Sequence, residues 1–243
     1  MPTTPQSDDR TGPREVELKL GLPSAAEHAR LRAALDAAGG FVRAVHQENL
    51  FFDGTGGELS AVGITLRVRV ERADGRSRAI LTLKAGHTRR GEVMDRAEWE
   101  SPLPLDVEEI QADPSRLLVL ELDPVLELAR LLPGLTALRL LGGFTNERRV
   151  YRVPLDLPAV AATTATLTAR AAMRVDTEWE LDRAEFPDGS IDHELEVELG
   201  GLPPAAGTEE VVTAIRAELA RLGVSTMKQP LAKFARFRER ARS

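Results

Sequence analysis

From Arg14 to Leu22 the chain reads R-E-V-E-L-K-L-G-L, charged and apolar residues in strict alternation. Along an extended strand, Glu15, Glu17 and Lys19 share one face, and Val16, Leu18 and Leu20 share the other. The same period returns after Ile64, in I-T-L-R-V-R-V-E-R, the turn A-D-G-R and A-I-L-T-L-K-A, which predicts a hairpin. D-R-A-E-W-E-S continues it, as do F-T-N-E-R-R-V-Y-R-V and the pair R-V-D-T-E-W-E-L-D-R-A-E-F and I-D-H-E-L-E-V-E-L-G, joined by P-D-G-S. F-V-R-A-V-H-Q-E-N-L-F-F-D reads as one or two further strands, followed by the turn D-G-T-G-G.

Helical spacing appears in fewer places. Ala29, Leu31, Leu35 and Ala38 form an apolar stripe after Ser24, an N-cap with Glu27 three residues on, and Gly39-Gly40 stops the helix. T-E-E-V-V-T-A-I-R-A-E-L-A-R-L-G predicts a second helix with Thr208 as N-cap and Gly223 as stop. The basic end, L-A-K-F-A-R-F-R-E-R-A-R, reads as a third. Residues 106–142 are leucine-rich, broken by Pro114, Pro124 and Pro133, and read as a helical elaboration. Within them, residues 117–141 are assigned to core packing, with a homodimer face as the alternative. The Ala/Thr-rich run around 159–170 fits no single state. Many antiparallel strands with few helices make an α+β fold. Residues 1–13 are expected to be a flexible tail and 14–243 a single domain.

The polar faces are unusual in kind. Arg67, Arg69 and Glu71 share one; so do Arg96, Glu98 and Glu100; Glu178, Glu180 and Asp182; and Asp192, Glu194, Glu196 and Glu198. Lys84 continues the face of Thr82. A sheet with one solvated face is the ordinary meaning of such alternation. Here, however, the faces are almost wholly carboxylates and guanidinium groups, and Glu194, Glu196 and Glu198 would repel one another on an open surface. Closing the sheet into a barrel resolves this, because inward positions alternate with outward ones on every strand. A lumen facing acids with bases suits a polyanion together with a hard divalent cation.

Composition narrows the function further. The 243 residues carry a net charge of -6, which argues against a general nucleic-acid binder. With 42% hydrophobic and 29% charged residues the chain is globular in type. Without cysteine there are no disulfides and no thiolate metal sites. His28, His46, His87 and His193 have no ligand-like spacing. A run of about 18 apolar residues is missing, so no membrane span is expected, and a cytoplasmic protein is the default.

E-V-E-L-K, carrying Glu15, Glu17 and Lys19, resembles the ExExK signature of the CYTH, or triphosphate tunnel metalloenzyme, superfamily. Further pieces follow in that family's order: L-R-V-R at 66–69, L-T-L-K at 81–84, R-A-E-W-E at 96–100, R-x-x-Y at 148–151, W-E-L-D at 179–182 and E-L-E-V-E-L at 194–199. L-F-F-D at 50–53 is similar to its aromatic-aromatic-Asp segment. The likeness spans roughly Glu15 to Phe237. It departs near the end, where the family's Ser-Lys pair has no counterpart: Lys233 is favoured over Lys228, and neither follows a serine.

The resemblance implies an antiparallel eight-stranded β-barrel forming a tunnel, with helices outside, and a metal-dependent triphosphatase using Mg²⁺ or Mn²⁺. By that resemblance Lys19, Arg67, Arg69, Lys84, Arg148 and Lys233 would clamp the phosphates of a small triphosphate, inorganic tripolyphosphate first. Arg149 is the alternative to Arg148 for the lumen. Glu15, Glu17, Asp182, Glu194 and Glu196 would hold the metal, with Glu180 and Glu198 as lesser contributors. Glu98 and Lys84 are the catalytic candidates; an ordinary salt bridge of Glu98 with Arg96 or another neighbour is an equal alternative. Thiamine triphosphatase, class IV adenylate cyclase and a non-catalytic polyphosphate- or nucleotide-binding module are the competing functions. Nucleic acid and membrane are not expected as partners.

Overall fold

The computed structural model describes residues 13–157, 172–203, 206–229 and 231–241, the His87 side chain excepted. The expected tail, apart from Pro13, and the Ala/Thr-rich run lie outside the described residues.

The elements follow in the order β1 (Arg14–Leu22), α1 (Ala25–Ala37), β2 (Phe41–Gly54), α2 (Glu58–Ala61), β3 (Thr65–Ala73), β4 (Arg76–Arg90) and β5 (Val93–Pro102). Then come α3 (Val107–Ala112), a 3₁₀ turn (Pro114–Val119), α4 (Asp123–Leu131), β6 (Leu138–Leu157), β7 (Met173–Glu185), β8 (Ile191–Glu198), α5 (Thr208–Arg221), β9 (Met227–Lys228) and α6 (Lys233–Arg240). Neighbouring strands run β5-β4-β3-β2-β6-β7-β8-β1, and β1 also pairs with β5. That last pairing closes eight antiparallel strands into a barrel. β1 reaches both partners by offset registers, Glu15 opposite Arg96 on β5 and Lys19 opposite Glu196 on β8. The short β9 pairs with Leu20 and Gly21, beyond the stretch that β5 covers.

Burial confirms the closure. Leu18 and Leu20 are fully buried, yet Glu17 and Lys19 on the opposite face are only 4% and 5% exposed. An open sheet would leave one of those faces wet.

The apolar faces point outward into two cores. Leu18, Leu20, Trp179 and Val197 meet Leu31 and Leu35 of α1 and Val211 and Ile215 of α5. On the far side, Leu66, Val68, Leu81 and Leu83 meet Ile110, Leu117, Val125 and Leu128 of the 106–131 region, with Trp99 half-buried against them. The leucine-rich segment thus supplies one side of this core through Leu117, Val125 and Leu128, while Val119 and Leu126 stay exposed. A smaller cluster of Phe51, Phe144, Phe186 and Phe237 seats α6 at one end of the barrel.

Local signals act as their chemistry requires. Ser24 caps α1 by accepting from the Glu27 N–H. Asp74 (φ 49°) and Gly75 (φ 72°) form the tight β3–β4 turn, whose left-handed backbone matches the strand twist. Two expectations need correction. Gly207, not Thr208, is the N-cap of α5, in extended conformation and without a side-chain cap; Glu209 and Glu210 complement the first turn instead. The helical stretch of 106–142 ends at Leu131, and β6 begins at Leu138, because its partner β2 runs on to Gly54 and pairs with it there. Among the described residues, no helix is long and apolar enough to cross a membrane.

Candidate active site in the barrel lumen

The inward faces enclose a cavity of about 580 Å³, lined by side chains of all eight barrel strands and of α6. Its lining includes Glu15, Glu17, Lys19, Arg67, Arg69, Lys84, Glu98, Arg148, Glu196 and Lys233. Strand parity alone accounts for this: closure turns every ionic face the same way.

The charges interlock. Glu15 accepts hydrogen bonds from Lys84 (3.0 and 3.1 Å) and from Arg96 Nε (2.5 Å). Arg96 Nη2 also donates to Glu17 (2.9 Å), so one guanidinium ties both acids of the β1 pair. Lys19 lies 3.1 Å from Glu17 and donates to Glu196. Lys84 sits 2.9 Å from Glu98, while Arg67 and Arg69 approach Glu100 at 3.6 and 3.2 Å. Arg148 grips Asp182 with two hydrogen bonds (2.8 and 2.6 Å), donates to Glu196 (2.7 Å) and pairs with Glu180.

Two open choices close here. Arg148 faces the lumen; Arg149 faces out, bonding Tyr151 and Asp36 and covering the Phe41 ring at 4.4 Å. Lys233, first residue of α6, reaches Asp182 (2.8 Å), Glu196 (2.9 Å) and Glu194, whereas Lys228 is exposed on β9.

Asp182, Glu194 and Glu196 each offer a carboxylate oxygen within 4.8 Å of the others, a hard-donor set of the kind Mg²⁺ or Mn²⁺ takes. Lys233 stands among them. Asp182 and Glu194 are 0% and 1% exposed and lie behind the cavity lining, where Arg148, Lys233 and Arg236 bond them. Both carboxylates are thus paired with side-chain cations of β6 and α6.

The electrostatics divide the acids. Burial pushes Glu196 up, but Lys19, Lys233 and Arg148 more than offset it and hold it well below the usual range. Glu15 is likewise held well below, its burial outweighed by Lys84 and Arg96. Glu198 behaves oppositely. Burial, with Glu15, Glu17 and Glu98 nearby, pushes it up to about 7 against a backbone hydrogen bond from Gly200. Among the described residues, no lysine or arginine forms an ion pair with it. Glu98 is raised by burial and by Glu15, despite Lys84. Burial lowers Lys84, helped by Arg96, and takes Arg67 down to about 10.

Sequence reasoning passed over Arg96 as a site residue, although its parity with Glu98 and Glu100 puts it on the lumen face. It also passed over Arg236, one helical turn after Lys233, which bonds Glu194 (2.5 Å).

A CYTH domain family model matches residues 13–229. The chain belongs to the CYTH family. A solved structure of a candidate adenylyl cyclase from Hippeastrum, described as having a dominant triphosphatase activity, is 26% identical to this CYTH protein. It superposes with a TM-score of 0.70, covering 93% of this chain and 95% of its own. A candidate adenylate cyclase from Bacillus halodurans (18% identity, TM-score 0.56, 92% and 98% covered) shares the fold. So does a Pyrococcus horikoshii protein (18%, 0.53, 93% and 97%). A comparison with curated protein sequences returned no match.

Proposed function

We propose that this CYTH protein is a divalent-metal-dependent hydrolase of small triphosphates, with inorganic tripolyphosphate as the minimal substrate. The observation that carries it is the convergence of Lys19, Arg67, Arg69, Lys84, Arg148 and Lys233, from four strands and a helix, on one enclosed lumen. Buried ion pairs cost desolvation that their attraction only partly returns, so so many of them are a poor way to stabilise a fold. They are a good way to receive a polyanion. The triphosphatase activity described for the Hippeastrum relative supports the same reading.

Phosphoryl transfer asks mainly for positioning and charge neutralisation. Arg67, Arg69 and Arg148 supply planar donors matched to phosphate oxygens, and Lys19, Lys84 and Lys233 supply point charges. Asp182, Glu194 and Glu196, whose carboxylate oxygens lie within 4.8 Å of one another, and Glu15 and Glu17 on β1 are the acids that would hold a divalent cation. When bound, the metal polarises phosphate oxygens and acidifies water. Glu98, raised by its surroundings and 2.9 Å from Lys84, takes the proton from the attacking water.

Phosphate release from tripolyphosphate, measured with Mg²⁺, with Mn²⁺ and with chelator, tests this. Turnover only with metal is expected; none under any condition overturns the reading. Cyclic AMP from ATP would instead mark a cyclase. A melting-temperature rise on adding tripolyphosphate without any phosphate release would mark a binding module.

A further inference from the structure

Contact with the barrel, rather than its own propensity, keeps α6 in place. The helix has eight residues, too few to stand alone in water. Its N-cap, Ala232, offers no side-chain acceptor to the first N–H groups, and its first turn opens on a lysine and holds no acid, the wrong sign for the helix dipole. Phe234 ends a ladder of stacked rings, 4.6 Å from Phe51, which lies 5.5 Å from Phe144. Phe237 is buried against the same rings, and Lys233 and Arg236 reach the buried acids.

Those acids are Asp182, Glu194 and Glu196, the three whose oxygens cluster within 4.8 Å. Four cations meet them: Lys19, Arg148, Lys233 and Arg236. Three of the four have a further acid to hold. Lys19 also lies against Glu17, Arg148 against Glu180 and Arg236 against Asp192. Lys233 does not: among the described residues, its ion pairs are with Asp182, Glu194 and Glu196 alone. Lys19 and Arg148 are fixed in the barrel wall on β1 and β6, whereas Lys233 stands on the first turn of a short helix and lines the cavity.

A divalent cation held by the three acids would occupy the place of the Lys233 ammonium. In a low-dielectric wall the repulsion between the two is strong, and the three carboxylates are already met by more cations than their own number. One cation has to leave. Lys233 is the one left without any acid once the cluster is taken, and the open lumen lies beside it. We propose that Lys233 and a divalent cation are alternative occupants of the Asp182–Glu194–Glu196 cluster. In the metal-free protein α6 docks as an internal counter-ion; on metal loading it loosens and frees its ammonium for a phosphate in the lumen. The docked helix is then an autoinhibitory contact that loading removes. This inference rests on the metal-dependent reading above.

Hydrogen exchange of the full chain, with and without saturating Mn²⁺ and with no triphosphate present, reads the helix directly. The amides of 236–240 should exchange at least about tenfold faster with Mn²⁺, while those of β3 do not. Mn²⁺ affinity, measured by electron paramagnetic resonance of the free ion, reads the competition. Lys233→Met should bind Mn²⁺ at least about tenfold more tightly than the parent. Ala232→Ser gives α6 the cap it lacks and leaves every acid and cation in place. It should bind Mn²⁺ about fivefold more weakly, the scale of one N-cap hydrogen bond, and it decides the question if Lys233→Met fails to fold. Unchanged exchange in α6 with Mn²⁺ bound, or a folded variant with the parent's affinity, overturns the inference and leaves the metal-dependent reading standing. Absence of Mn²⁺ binding in parent and variants overturns both.

Discussion

Lys233 Nζ lies 2.8 Å from Asp182 Oδ2, and Asp182 is wholly buried. One residue from the C-terminal helix thus neutralises an acid that the barrel wall has removed from water. Glu194 and Glu196 share the same ammonium. The helix is held to the barrel by charge as well as by Phe237, and its removal would leave uncompensated carboxylates inside.

Lys233→Met should therefore destabilise the protein by about 3–5 kcal/mol, the usual cost of stranding one partner of a buried ion pair. Adding Asp182→Asn should recover part of the loss. Urea unfolding measures both; a cost below about 1 kcal/mol, the range of exposed pairs, would contradict the burial argument.

Glu198 gives a pH signature. Its folded pKa is raised to about 7, above the unfolded value, so between the two the folded state holds more protons and stability falls as pH rises. Glu198→Gln should melt higher than the parent above pH 7 without metal, and the gap should close toward pH 4.5. Mn²⁺ should narrow the gap at high pH if Glu198 faces the metal. A gap independent of pH would remove Glu198 from the acid cluster.

Glu17→Gln tests the β1 pair. Glu17 is 4% exposed and lies within reach of Arg96 and Lys19. The substitution keeps the shape and removes the charge. Metal-dependent phosphate release from tripolyphosphate should fall on the order of a hundredfold or more, the scale of losing one pre-organised electrostatic contact in an active site. Circular dichroism should stay native. Unchanged turnover in a folded variant would refute the role.

Asp53, last in the L-F-F-D stretch, is 1% exposed and accepts from the N–H groups of Gly54 (2.8 Å), Leu59 (2.9 Å) and Ser60 (3.4 Å), and from the Ser60 hydroxyl. It holds the four-residue α2, and Ser60 also accepts from Arg238 of α6. Asp53→Ala leaves buried donors unsatisfied and should cost about 1–3 kcal/mol. Hydrogen exchange should report faster opening of 54–61 than of β7. Equal protection of both would argue against this local role.

The strand content was legible because a two-residue period is set by covalent geometry: Glu15, Arg67, Glu98 and Glu196 share the lumen since each holds inward parity on its own strand. The turn at Asp74-Gly75 and the cap at Ser24 were legible for the same reason, each being a contact within a few residues. The N-cap at Gly207 was misread because Thr208 is the better capping side chain, and local propensity says nothing of where the chain enters the helix.

The sequence by itself determined which residues could face inward, their charge, and that a closed sheet was needed to reconcile them. Only the tertiary structure decided that Lys233 rather than Lys228 enters the lumen, and that Arg96 bridges Glu15 and Glu17. It likewise set Asp182 and Glu194 behind the lining, and Phe234 at the end of a ring ladder. Those outcomes depend on strand stagger and on where a distant helix docks, and contacts between residues far apart in the chain leave no trace in local spacing.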